Sequence, residues 1–253
     1  MTAWNHVQMV TRDGVATIIY SERRLNVLHT AGLEELLAAG QQLRRMEGLR
    51  LVVLTGAGEK AFMGGADISE MAQFTPTSAQ AFITRIHQVC HMLRTLPVPS
   101  IARVNGYCLG AGMEVAAACD LRIGADTSHY GMPEVQVGLP SVVEAALLPS
   151  LIGWGRTREL LYTGRMIDAA FAHQIGFLQR IAPLAELDAA MADWVRDICS
   201  AEPLAVTAQK RLIEGWLDGT GVPAAVQAGL DAFQQTYQTD APNQRLGAFL
   251  KRG

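Results

Sequence analysis

The sequence predicts an α/β protein, with a body of repeated strand–strand–helix units followed by a helical C-terminal region. Three observations carry this. Short β-rich runs alternate with segments of helical period through the first half or more of the chain. Two glycine-rich turns, at residues 63–67 and 109–112, each join an apolar run to a helical one. From Thr157 onward the pattern is mostly helical, divided by Pro183, Pro203, Pro223 and Pro242, each suited to a first helical turn or the link before one. The expected division is 1–190 for the body and 191–253 for the helical end, whose apolar residues Leu204, Leu212, Trp216, Phe233 and Phe249 need a surface to cover them.

In chain order, residues 7–10 and 15–20 are β-rich around Arg12-Asp13-Gly14, which predicts a hairpin. Residues 30–46 place Leu33, Leu36, Leu37, Gly40 and Leu43 on one helical face. A short buried strand is expected at 51–54, and a long helix over 78–96, stopped by Pro97-Val98-Pro99. Residues 100–104 and 120–125 read as strands, 113–118 as a buried helix of small residues, 130–134 as a loop and 142–152 as a helix. A last strand is expected near 178–181.

Composition narrows the function. With 49% apolar and 18% charged residues, 253 residues suffice for one large core, or a core plus an appendage. A net charge of −3 without any basic block argues against nucleic acid as a partner. No apolar run approaches the ~18 residues of a membrane helix, and the first ten residues do not read as a signal peptide. Cys90, Cys108, Cys119 and Cys199 lack CxxC spacing and read as reduced thiols of a cytoplasmic protein. His87 and His91 lie four apart, but no third ligand has diagnostic spacing, so a structural role is expected and no metal. Trp154, Trp194 and Trp216 are expected to pack.

A glycine-rich turn entering a helix leaves backbone N–H groups pointing outward. Two such turns that converge would make an oxyanion hole; alternatively their glycines only permit close helix–strand packing. Two carboxylates lie nearby in apolar surroundings. Glu114 directly follows the second turn, among Val115, Ala116, Ala117 and Ala118, and Glu134 lies between Pro133 and Val135. A charge so placed needs a partner or a task. Either the two divide acid and base roles, or each makes an ion pair, with Arg103 or Arg122 as candidates.

Three motifs, in order, give these residues a family resemblance. Residues 61–71, with Met63-Gly64-Gly65-Ala66-Asp67, resemble the first oxyanion motif of the crotonase (enoyl-CoA hydratase/isomerase) family. Residues 105–114, ending in Gly110-Ala111-Gly112-Met113-Glu114, resemble the second. Tyr130-Gly131-Met132-Pro133-Glu134 with Gly138-Leu139-Pro140 resembles the third. The resemblance implies a crotonase-like spiral of ββα units, with a helical C-terminal region used in trimerisation and trimers that often pair into hexamers. It implies acyl-CoA substrates, a thioester carbonyl held by the N–H groups of Ala66 and Ala111, and no cofactor beyond the coenzyme A of the substrate. Members with both glutamates are usually hydratases: Glu114 would orient and help deprotonate water, and Glu134 would deliver a proton to the α-carbon. Double-bond isomerisation, decarboxylation or thioester hydrolysis on the same scaffold is the alternative, with a non-catalytic acyl-CoA-binding protein further off.

The resemblance also gives substrate contacts. The segment Arg23-Arg24-Leu25-Asn26-Val27-Leu28 matches the first CoA-contacting loop, so Arg23, Arg24 and Val27 are candidates. Asp67 and Ile68 would line the coenzyme path, although Asp67 also suits a helix N-cap. Gly110, Pro133 and Ser141 border the reacting end, and Lys251 is a candidate for reaching a neighbour's coenzyme. The chain departs from the pattern after the third motif, where the usual glycine-rich turn is replaced by Ser141-Val142-Val143-Glu144. Glu144 is therefore a third candidate carboxylate.

Overall fold

The computed structural model describes residues 4–22 and 25–251. β1 (Val7–Arg12) and β2 (Val15–Tyr20) pair antiparallel. The turn between them puts Asp13 and Gly14 at φ 50° and 78°, the left-handed pair that matches strand twist in a two-residue hairpin. α1 (Thr30–Arg44) follows, burying Leu33, Leu36, Gly40 and Leu43 as its period requires. β3 (Leu51–Gly56) is two residues longer than expected and buried throughout.

From β3 onward each unit sends one strand to a large sheet and the next to a small one. β3 leads to β4 (Ala61–Met63), then α2 (Ile68–Met71) and α3 (Pro76–Arg94). β5 (Ser100–Val104) leads to β6 (Tyr107–Leu109) and α4 (Ala111–Ala117). β7 (Leu121–Ala125) leads to β8 (His129–Gly131), 3-10 helices at Pro133–Val137 and Val143–Leu147, and α5 (Leu148–Thr163). β9 (Met166–Asp168), α6 (Ala169–Gln174) and β10 (Arg180–Ala182) close the body. The six-stranded sheet runs β1-β2-β3-β5-β7-β10 and the four-stranded sheet β4-β6-β8-β9. β4, β6 and β8 are mutually parallel neighbours, so the loops leaving them emerge at one edge.

The large sheet is buried on both faces. Val52, Leu54 and Ala102 face the main core with α1 and α3, whereas Leu51, Val53, Ile101 and Ile123 pack with Leu187, Met191, Trp194 and Ile198. The latter belong to α7 (Leu187–Ala190) and α8 (Ala192–Ser200) or their junction. α9 (Pro203–Leu217) is tied to the body by Lys210, whose buried ammonium donates to the carbonyls of Leu93 and Val98 and to Asp120 Oδ2 at 2.8–3.0 Å. α10 (Val222–Thr236) and α11 (Ala241–Leu250) complete the chain.

Two expectations need correction. Residues 142–152 are not one helix: a 3-10 turn ends at Leu147, α5 begins with Pro149 in its first turn, and Gly153 (φ 75°, ψ 158°) breaks it again. Trp154 and Trp216 do not pack within the chain; both are exposed, in contrast to Trp194, which stacks under Arg180 at 4.0 Å. Leu230, Phe233, Leu246 and Phe249 of the last two helices are likewise exposed.

Candidate active site

The first turn leaves β4 through Gly64 and Gly65. A β-bridge between Leu28 and Ala66 holds it in place: the Leu28 N–H donates to Gly65 O, and the Asp67 N–H to Leu28 O, both at 2.8 Å. Gly65 has φ 101°, open to glycine and strained for other residues. Asp67 then caps α2, accepting from the N–H groups of Ser69 (2.8 Å) and Glu70 (3.4 Å). Ile68 begins α2 and is largely exposed.

The second turn leaves β6 through Gly110, whose N–H donates to Gly131 O at 2.8 Å. At φ 52° and ψ −126° Gly110 occupies a region that side chains forbid. A Cβ there would also overlap Glu134 Oε1, and one at Gly112 would overlap Met63 O. These glycines therefore bring the two turns together and seat a carboxylate against the second. Ala111 opens α4 without a left-handed φ, so alanine is tolerated there. Among the described residues no backbone carbonyl accepts from the N–H of Ala66 or Ala111. Gly110→Ala is expected to destabilise the fold by about 1–3 kcal/mol, read as a lower midpoint in chemical denaturation.

Glu114 lies in the first turn of α4, a helix buried along its whole length. Its Oε1 accepts from the Ala145 N–H at 3.2 Å. Burial raises its pKa to about 8, with the nearby charge of Glu134 adding to the rise. Glu134 is half-buried at the start of the 3-10 helix, following Pro133, and its Oε2 accepts from Ser141 Oγ at 2.8 Å. The ion-pair reading of the two glutamates does not hold. Arg122 spends its guanidinium on the carbonyls of Phe177 and Cys119, and Arg103 pairs with Asp188 at 2.6 Å.

Glu144 is buried, and its Oε1 meets His87 Nδ1 of α3 at 2.9 Å. His87, expected to be merely structural, thus reaches the carboxylate that replaces the family's glycines. Their separation of 57 positions hid this pairing in the sequence. Val27 lies beside Leu28, and its carbonyl accepts from Tyr20 Oη at 2.9 Å. Lys251 ends α11, exposed to solvent, and Arg23 and Arg24 lie outside the described residues. One other cluster has ligand-type side chains: His6, Glu22 and His29. His29 Nδ1 accepts from the Gly32 N–H at 3.4 Å as the N-cap of α1. The two rings converge on one oxygen of Glu22: His6 Nδ1 lies 2.8 Å and His29 Nε2 3.4 Å from Oε2.

Residues 11–253 match the profile of the enoyl-CoA hydratase/isomerase family. The chain belongs to that family. A short-chain-enoyl-CoA hydratase of Clostridium acetobutylicum is 31% identical over 250 residues, covering 98% of this chain and 95% of the relative. A crotonyl-CoA hydratase of Syntrophomonas wolfei is 30% identical over 252 residues, covering 99% and 96%. Among solved structures, an enoyl-CoA hydratase from Bacillus anthracis superposes with a TM-score of 0.93 at 32% identity, covering 98% of this chain and 97% of that one. The two sheets built from successive strand–strand–helix units are the crotonase spiral of this enoyl-CoA hydratase/isomerase fold, and a helical C-terminal region follows them.

Proposed function

We propose that the protein is an enoyl-CoA hydratase that adds water across the 2,3-double bond of a 2-enoyl-CoA thioester. The observation that carries this reading is the pair Glu114 and Glu134 beside two turns with uncommitted N–H groups. Addition of hydroxide to the β-carbon drives electrons through the conjugated system onto the thioester oxygen. The Ala66 and Ala111 N–H groups would receive that charge, and one such donor is typically worth about 2.7–4 kcal/mol at the barrier. The division of roles is supported by position along the chain. Glu134 lies against Gly110, next to the Ala111 donor, which suits delivery of a proton to the carbon adjoining the carbonyl. Glu114 follows three residues after Ala111 in α4, which suits activation of the water.

Burial, and after it the charge of Glu134, raises the Glu114 pKa to about 8, which makes its ionised carboxylate a better base toward water. Glu134 gives a proton to the α-carbon as the C–O bond forms at the β-carbon, and Glu114 takes one from the attacking water. The pair ends with the single proton it began with. Net addition of water moves no electrons, so the chemistry requires no redox cofactor; coenzyme A belongs to the substrate. Val27, Asp67 and Ile68 would line its path, with Arg23, Arg24 and Lys251 as phosphate contacts. A protein that only bound acyl-CoA would have no use for a buried carboxyl at this point.

Exposed apolar side chains on α9 to α11 support assembly into trimers, or pairs of trimers, through the C-terminal region. No helix among the described residues is long and apolar enough to cross a membrane. Three buried, unpaired cysteines fit a reducing, cytoplasmic setting. The test is the absorbance of the conjugated thioester of crotonyl-CoA. It should fall on addition of the protein; no change at high enzyme concentration, with CoA binding intact, would refute short-chain hydration.

A further inference from the structure

The turn after the third motif carries more than a loop requires. Val143 has φ 38°, a left-handed conformation costing a β-branched residue about 1–3 kcal/mol. The N–H of Ala145, two residues on, donates to the Glu114 carboxyl at 3.2 Å. Between Val143 and Ala145 the Glu144 side chain turns inward and is only 4% exposed. One oxygen meets His87 Nδ1, and the other is sealed from solvent without a hydrogen-bond partner among the described residues. The Cys90 thiol lies against the same carboxyl; its own pKa is pushed up first by burial, then by Glu144. A buried, half-satisfied carboxylate on a strained turn is costly.

We propose that Glu144 and His87 form a positioning pair for Glu114, locking the strained turn whose Ala145 N–H holds the Glu114 carboxyl. The pair rests on the hydratase reading for its kinetic meaning, although the structural coupling does not. His87 has a side chain half open to solvent, 49% exposed, and anchors Glu144 from α3. The groups facing Glu114 are Glu134 from the first 3-10 helix, Glu144 from the second, and the Cys90 thiol from α3, with His87 acting through Glu144. Glu144's charge raises the Glu114 pKa, so it helps keep a proton at the site.

The test uses the full chain with Glu144→Gln, His87→Ala and the double variant. Isotope-edited infrared titration of Glu114, assigned by the band lost in Glu114→Gln, needs no substrate. Its midpoint should move to lower pH in Glu144→Gln. With crotonyl-CoA, kcat should fall roughly tenfold, about 1.4 kcal/mol at the barrier, with KM little changed, and its rise with pH should begin at lower pH. The double variant should lose no more than the worse single one, as for groups acting as a unit. An unmoved Glu114 midpoint would overturn the proposal, as would a loss of turnover that only follows a lowered melting temperature. If wild-type protein fails to hydrate crotonyl-CoA, the hydratase reading falls, and the infrared titration still decides the coupling.

Discussion

Glu134→Gln is expected to lower turnover of a 2-enoyl-CoA by at least ~10² while leaving thioester binding nearly intact. The substitution keeps the size of the side chain and an acceptor for Ser141 Oγ, 2.8 Å away in the parent. It removes the carboxyl beside Gly110 that is proposed to pass a proton to the α-carbon. The oxyanion donors are backbone N–H groups and remain, so the loss should appear in kcat rather than in KM. Steady-state kinetics with crotonyl-CoA gives both quantities. A fully active Glu134→Gln would make the role assigned to Glu134 wrong.

Glu114→Gln should lower turnover by a similar factor, at least ~10², and also change the pH profile. With its pKa raised to about 8 by burial and by Glu134, Glu114 is mostly protonated at neutral pH and serves as base only when ionised. Wild-type kcat should therefore rise with pH toward about 8. Glutamine cannot ionise, so this rise should vanish in the variant. Stability should move the opposite way. Because the folded pKa lies above the ordinary glutamate value of 4.5, the folded state holds a proton that the unfolded chain releases between about pH 4.5 and 8. Raising pH across that window costs the folded state stability. Glu114→Gln removes this cost, so its melting temperature should exceed that of wild type above pH 8. Thermal melts at pH 6 and pH 9 check the sign.

The sequence displayed the site more clearly than the strands supporting it. β4, β6, β8 and β9 have three residues each, too few for alternation to show. The glycines that follow β4 and β6 were nevertheless readable, because Gly65 and Gly110 need backbone conformations that few residues share. Glu114 stood out by contrast with the small apolar residues around it. The turn at 142–147 was misread as helix because Val143-Glu144-Ala145-Ala146 favours one locally. The left-handed Val143 and the inward Glu144 answer instead to contacts with α3 and α4. The exposed face of α9 to α11 was read as an apolar stripe, and in the single chain it remains uncovered.

Mass analysis of the product tests the central claim most directly, since each reaction open to this scaffold leaves a different mark. Crotonyl-CoA incubated with the protein in ¹⁸O-enriched water should gain one water, with the heavy oxygen on the acyl β-carbon and the thioester intact. Release of free CoA, or a product of unchanged mass with a shifted double bond, would contradict hydration and assign the site to hydrolysis or isomerisation instead.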